Sequence, residues 1–474
     1  MELNLTAKLS TSDIIGLMQD VVKQVSPLVE YADSLYTNMQ MTDILKDSTE
    51  ETLTEPFSTS GVVFRMLKRG EWREAAFGDL RDKRRIIEET KKAASFTPIS
   101  SHSIQNISRG KPWKTDIAVA GKKDPRDIEA KEKLETVRKY FQIAKGYDTR
   151  IINVNSHYRE IIDERAFANS EGSELHELLS RVYFSVVSIA KENDRLEYDY
   201  CTGGKTGGFE VIDELYSEQN IKDTAKGAIE LLASHQVPTG TFNVVLDPGL
   251  TGTFAHESFG HGCEADQVLR GRSYLVNYLN KKLGPENFNL YDDGTLASGT
   301  GSLVFDDEGN RPHKTPVVEN GVLTHFLQDR MSAQEMKASP TGNARRESYK
   351  RMIYVRMTNT YIDPGDYTFD ELLKETKDGI YLEHWNSGIE DPIGGNMQLK
   401  SKKSWRIKNG ELGEPFSTTV LSGKVLEFMA NIKGITKASD FSLSAGYCGK
   451  GHEDMITDGT GGTFLASRAT IGQG

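Results

Sequence analysis

The segment TFAHESFGHG, residues 253–262, places two histidines, a glutamate and a glycine within reach of one another. Imidazole is a zinc ligand, and a glutamate beside a ligand can take a proton from an activated water and pass it to a leaving amine. A hydrolytic zinc asks for three protein ligands of His, Cys or carboxylate type and an open fourth position. In the H-E-x-x-H pattern the histidines share one helix face because they lie four residues apart. Here His256 and His261 are five apart. At about 3.6 residues per turn, five residues rotate by roughly 500° and leave the side chains about 140° apart, too far round to share an ion. A π-bulge, one inserted residue that widens a turn, would bring them back to one side. Gly260, directly before His261, is the expected place, because glycine tolerates backbone shapes that other residues avoid. The competing reading is a helix end with one buried and one exposed histidine.

The third ligand is not adjacent. The candidates are Cys448, His452, Cys263, Glu264 and Asp266. Cys448 lies in the glycine-flanked SAGYCGKG, where a thiolate free of bulky neighbours could approach from the opposite side. His452 rivals it in the same loop. Cys263 reads better as a small packed hydrophobe. His176-Glu177 and His452-Glu453 lack a second nearby histidine and read as incidental.

The elements that must position these groups differ between the two halves of the chain. Residues 12–33 carry apolar side chains at helical spacing behind Thr11 and Ser12, which read as the N-cap. GVVFRMLKRGEWREAAFG (61–78) reads as two strands turned at Arg69-Gly70. Asp79 is the expected cap of a basic helix running to about Ala94, its charges a solvated face. Residues 95–123 are irregular enough for a linker, and Asp124-Pro125 is the expected start of another helix. RIINVN, AFANS, RVYFSVVSIA and RLEYDYC read as strands. GGKTGG (203–208) lacks the order of a phosphate loop and reads as a flexible turn. A helix over 212–234 precedes a boundary at Pro238. Beyond it, short strands alternate with turn signals at Asp293-Gly294, Glu308-Gly309-Asn310, Asn320-Gly321 and Asn409-Gly410. The expected fold class is α+β, with an α+β region over 1–237, itself open to division near 95–123, and a β-rich, mainly antiparallel catalytic domain over 238–474.

Composition limits the function classes. Of 474 residues, 37% are hydrophobic and 27% charged, the mix of a globular protein large enough for two or three domains. The net charge of -11 disfavours a nucleic-acid partner. No apolar run approaches the ~20 residues needed to span a bilayer, and MELNLTAKLS lacks the features of an export signal. Three sparse cysteines suit a reducing cytoplasm, the expected location.

With these residues in view, the chain resembles the TldD/PmbA metallopeptidase family, in its TldD-type catalytic branch. The resemblance rests on HESFGHGCEAD (256–266), DDGT (292–295), DDEG (306–309), ENGVL (319–323), SPTGNARRESY (339–349), RMTNTY (356–361) and YCGKG (447–451), which follow one another in the family's order. YAD (31–33) and the 61–78 hairpin add a weaker match. The resemblance implies one zinc per active chain, held by His256, His261 and Cys448, with Glu257 as the acid/base. It implies hydrolysis of peptides or unfolded segments inside a dimer, either a homodimer or a heterodimer with a PmbA/TldE-like subunit. Zinc is favoured among divalent ions by the soft thiolate as well as by the resemblance. An older name of the family supplies the competing class, a non-catalytic peptide binder or a modulator of DNA gyrase.

An enclosed protease can hold substrate by adding the peptide as a strand to a sheet edge. IGGNMQLK (393–400) is the expected edge, with Gly394, Gly395 and Asn396 as substrate-binding residues, since the glycines would let a second backbone come close. Arg345 and Arg346 could hold a carboxylate, but a structural role is the better reading, as partners of Glu347 and other acids.

Overall fold

The computed structural model describes residues 9–98 and 107–474. The opening residues 1–8, part of the stretch read as lacking an export signal, and 99–106 of the expected linker lie outside the described residues. No helix among the described residues is long and apolar enough to cross a membrane.

The fold is α+β, and its second half is dominated by antiparallel strands. The first sheet runs in the order Glu71–Phe77, Glu51–Lys68, Tyr31–Lys46, Ile151–Asn169, Glu174–Glu192, Lys114–Val119, with Arg195–Thr206 also paired to Glu174–Glu192. Burial alternates residue by residue along much of Glu174–Glu192, the period-two signature of a sheet with two different faces. Helices Thr11–Val25 and Lys83–Ala94 pack over one part of this sheet. Ala130–Lys145 and Glu218–Leu232 cover another.

From Gly240 onward the chain builds two further large sheets. Gly379–Asp391 pairs with both Gly240–Leu246 and Asn396–Lys408, and Leu465–Gln473 and Thr419–Lys424 complete the circuit between them. Five strands thereby close into a ring, which removes their free edges. The other sheet is open, in the order Val322–Leu323, Lys314–Glu319, Leu290–Asp293, Asn359–Ile362, Glu453–Gly462, Ser442–Lys450.

Several local expectations are revised. The first helix is Thr11–Val25, capped by Ser10 in a reciprocal box with Asp13. It does not reach residue 33, because Pro27 cannot donate the hydrogen bond that would continue it, and Tyr31–Lys46 is drawn into the sheet on both edges. Asp82, not Asp79, caps Lys83–Ala94. The linker stretch contributes the strand Lys114–Val119, parallel to Glu174–Glu192. Asp124-Pro125 opens only a single tight turn, and the helix proper begins at Ala130. RIINVN and AFANS are two ends of one strand, Ile151–Asn169. Most of GGKTGG continues the strand Arg195–Thr206. The helix expected over 212–234 breaks after Leu215, where Ser217 caps a new helix. Arg69-Gly70, Asn320-Gly321 and Asn409-Gly410 do turn hairpins; in the two Asn-Gly pairs both residues take positive φ, as a type I′ turn requires. Asp293-Gly294 and Glu308-Gly309-Asn310 instead shape the long excursion between Leu290–Asp293 and Lys314–Glu319.

That excursion docks on the first sheet through buried charge. Asp307 accepts from Arg165 at 2.5 Å, and Arg165 also binds Glu177, whose second oxygen accepts from the Val304 amide at 2.7 Å. Glu308 meets Arg65 at 3.1 Å, and Arg65 forks onto Asp33. Arg181 donates to the carbonyls of Thr300 and Ser302. Removing one member of such a buried set strands the others, at about 3–5 kcal/mol. Arg165→Ala is expected to lower unfolding free energy by about that amount in urea titrations, because Glu177 and Asp307 are almost completely buried. A loss below about 1 kcal/mol, the range of a surface pair, would show that the network does not bear on stability.

Candidate metal centre

The strand Gly240–Leu246 delivers the chain to Asp247, whose carboxylate accepts from the Leu250 amide at 2.8 Å and caps the helix Pro248–Ala255. At His256 the helix widens. Residues His256–Gly260 form a π turn, closed by the His261 amide donating to the His256 carbonyl five residues back. A tight turn, His261–Cys263, follows. The expected bulge is present, but the reason for its glycine is different. Gly260 has ordinary helical torsions, φ −52° and ψ −61°. A Cβ there would fall 1.8 Å from the Met357 sulfur, so glycine is required for space.

The wide turn sets the two imidazoles side by side, ring centres 5.0 Å apart and planes 87° apart. Cys448, on the edge strand Ser442–Lys450, arrives from the other side. Its sulfur lies 3.3 Å from His256 Nε2 and 3.3 Å from His261 Nε2. One ligand atom from each of the three residues lies within 4.8 Å of the others. A tetrahedral zinc with ordinary bond lengths places nitrogen and sulfur ligands roughly 3.5 Å apart, so the spacing suits one such ion.

The reverse side of each ring faces a carboxylate. His261 Nδ1 is 3.5 Å from Glu264, and His256 Nδ1 is 3.4 Å from Asp458, within ionic reach though not aligned as a hydrogen bond. A carboxylate behind a ligating histidine fixes the tautomer that presents Nε2. Burial acts to raise Glu264, but Lys450 at 3.0 Å, His261 and Arg356 hold it at about 2. Burial pushes Asp458 up to about 6, against the pull of Arg356 and Arg345. Burial and the neighbouring His261 lower the His256 imidazole, whereas Glu264 and Cys448 outweigh burial and raise that of His261.

Glu257 stands next to this trio. Its carboxylate, a His261 nitrogen and a Glu390 oxygen lie within 4.8 Å of one another. Burial, then the hydrogen bond to Glu390, pushes Glu257 up to about 8. Gly388, on the same strand as Glu390, leaves room for it: a Cβ there would come 2.8 Å from Glu257 Cγ.

Of the rival ligands, Cys263 is fully buried in the apolar core, and burial raises its thiol. His452 is exposed in the turn after Ser442–Lys450. Asp266 pairs with Lys450 at 2.8 Å, and Glu264 backs His261 rather than joining the trio. The expected substrate edge over 393–400 is not an edge. Asn396–Lys408 is paired on one side with Gly379–Asp391 and on the other with Thr419–Lys424, while Gly394 and Gly395 make the turn into it and Asn396 opens the strand. Gly395, at φ +65°, packs against the Tyr274 ring. The ring closes because this hairpin completes it, which no local pattern in IGGNMQLK reveals. The open sheet instead ends at Ser442–Lys450, the strand that carries Cys448.

Arg345 gives its guanidinium to the carbonyls of Met357 and Thr457, and Arg346 pairs with Glu74 at 2.9 Å. Asp292 of DDGT is buried and accepts from Asn343, Thr358 and Thr360, so two other sequence motifs converge on its carboxylate. Glu390 and Asp458 were not legible beforehand: neither has a fixed spacing to the histidines. Lys450 lay within YCGKG, two residues from Cys448, but its partner Glu264 is remote in sequence.

Three ligand atoms around one point, with a carboxylate beside them, form a donor set that could hold one metal ion. The sequence matches family models for the PmbA/TldA metallopeptidase central domain over residues 123–235 and C-terminal domain over residues 239–471. A metalloprotease of Methanothermobacter thermautotrophicus is 34% identical over 457 residues, 96% of this chain and 98% of that one. A zinc metalloprotease TldD homolog of Saccharolobus solfataricus is 30% identical, covering 76% of this chain and 80% of its own. The chain belongs to the PmbA/TldD metallopeptidase family. Among solved structures the fold matches TldE from Thermococcus kodakarensis (TM-score 0.76, 14% identity, 96% of this chain and 99% of that one). It also matches a Thermotoga maritima protein described as a candidate modulator of a DNA gyrase (TM-score 0.79, 19% identity, 96% of this chain and all of that one).

Gly260→Ala tests the steric account of the π turn. Overpacking against Met357 is expected to cost about 1–3 kcal/mol in thermal unfolding, with partial relief in the double variant Gly260→Ala/Met357→Ala. Equal losses in both variants would overturn it.

Proposed function

We propose that the protein is a zinc-dependent peptidase, with His256, His261 and Cys448 as the metal ligands and Glu257 as the general acid/base. The observation that carries this reading is the trio itself: two Nε2 atoms each 3.3 Å from one sulfur, with a carboxylate behind each ring. Bound zinc would supply Lewis acidity and a water nucleophile competent near neutral pH. The chain's own groups do the rest. Asp458 and Glu264 orient the imidazoles. Glu257, beside the trio, accepts the proton from the attacking water and returns it to the departing amine. Burial, with Glu390 beside it, raises that carboxyl to about 8, within reach of both the charged and the neutral form that the cycle uses. Cys448 acts as a ligand, not a nucleophile, so no covalent intermediate with the enzyme arises.

The edge strand Ser442–Lys450 beside the trio offers backbone groups to which an extended peptide could add, in place of the 393–400 run. The hairpin that supplies Glu390 also exposes Trp385, Ile389 and Ile393, apolar side chains that a second subunit would cover. That supports a dimeric enzyme, with another copy or a TldE-like chain. The competing reading, a non-catalytic modulator of a large partner such as DNA gyrase, draws on the description attached to a structural relative; it leaves the trio and Glu257 without a purpose.

Two measurements separate these readings. Elemental analysis should find about one zinc per chain. His256→Ala and Cys448→Ala should lose it, and His452→Ala should retain it. Glu257→Gln should keep the metal and lose peptide cleavage by about 10²–10⁴-fold. Cleavage within about tenfold of wild type in the metal-loaded Glu257→Gln chain would remove Glu257 from the mechanism.

A further inference from the structure

Between the strand Ile151–Asn169, the turn at Asp307 and the segment 345–348 lies a cavity of about 60 Å³, apart from the histidine–cysteine trio. Four guanidinium groups line it, those of Arg165, Arg181, Arg345 and Arg346, and all four residues are buried. Three have an acid partner, Arg346 through Glu74 at 2.9 Å. Arg165 is neutralised by Glu177 and Asp307, and Arg181 reaches Asp163 at 3.3 Å. Arg345 donates only to neutral oxygens, the carbonyls of Met357 and Thr457 and the Thr457 hydroxyl. Burial and the like charges of Arg181 and Arg165 pull its guanidinium down to about 10. Arg346 uses Nη2 on Glu74, while its Nε and Nη1 are buried with no hydrogen-bond partner among the described residues.

Asp163, Asp307 and Glu347 also line the space. Asp307 is committed, one oxygen to Arg165 and the other to the Arg346 amide at 2.7 Å. Arginine offers donors and no acceptor, and it stays charged at any ordinary pH. Buried donors left unmade are costly, and a buried charge without a counter-charge more so. What is left unmet among the described residues is specific: Arg345 has no acid partner, and two N–H groups of Arg346 have no acceptor, which an acceptor-only occupant would supply. The cavity has room for a few waters or one small polyatomic anion.

We propose that this cavity binds one compact oxyanion, a carboxylate head or inorganic phosphate, through Arg346 Nε and Nη1 with Arg345 beside it. Guanidinium forks match such anions in geometry as well as charge. Arg345 ties the site to the trio through backbone. It holds the carbonyl of Met357, whose sulfur crowds Gly260, and that of Thr457, which precedes Asp458. The inference does not depend on zinc or on peptide hydrolysis.

The test uses the full chain, dialysed free of oxyanions. Inorganic phosphate and sodium acetate are titrated separately by calorimetry at constant ionic strength, and crystals are grown with and without phosphate. Saturable binding of either anion, with density between Arg345 and Arg346, supports the proposal; acetate binding alone assigns the site to carboxylates, and phosphate binding alone to tetrahedral anions. Arg346→Gln and Arg345→Lys should each weaken binding by about tenfold or more. The proposal is overturned if the folded wild-type chain takes up neither anion and its crystals show only water there, or if a folded Arg346→Gln chain binds as tightly as wild type. The wild-type arms decide the matter even if both variants fail to fold.

Discussion

The site depends on one backbone hydrogen bond, from the His261 amide to the His256 carbonyl. A regular turn at that point would point the second imidazole away from the first. The i→i+5 closure is tolerable only because the surroundings leave no alternative. The helix before it is clamped at Asp247, the Met357 sulfur presses where a side chain would be, and the tight turn at His261–Cys263 steers the chain away at once.

A second layer of the design concerns charge. The interior near the trio holds Glu264, Asp458, Glu453, Arg356 and Lys450, all ionisable groups. Each is costly to bury alone, and together they nearly cancel. The result is a polar shell that aims the imidazoles without opening the site to solvent. The same economy appears where Asp307 and Glu308 reach the first sheet. Both halves of the chain are thus joined by ion pairs that only form when the two are already folded against each other.

How much of this was readable in the residues varies with range. The π turn, the Asn-Gly hairpins and the β-rich second half follow from local chemistry and were visible in it. Helix ends were less so: Ser10 and Asp82 are the caps where Thr11-Ser12 and Asp79 were expected. The 393–400 run was misread for a different reason. Whether a strand is an edge is settled by partners many residues away, here Thr419–Lys424 and Gly379–Asp391. Glu390 and Asp458 escaped for the same cause. The expected pairing of Arg345 and Arg346 with Glu347 and other acids holds only for Arg346, through Glu74; Arg345 meets the carbonyls of Met357 and Thr457, partners remote in sequence.

The sulfur of Cys448 stands 187 residues beyond His261 in sequence, on a terminal hairpin whose partner strand, Glu453–Gly462, comes later still. During synthesis the two histidines therefore leave the ribosome long before their third companion. A ribosome-bound or prematurely ended polypeptide carries an incomplete donor set, and only a chain whose last hairpin has docked presents all three. The donor set is therefore long-range, assembled from two segments that meet only in the folded chain.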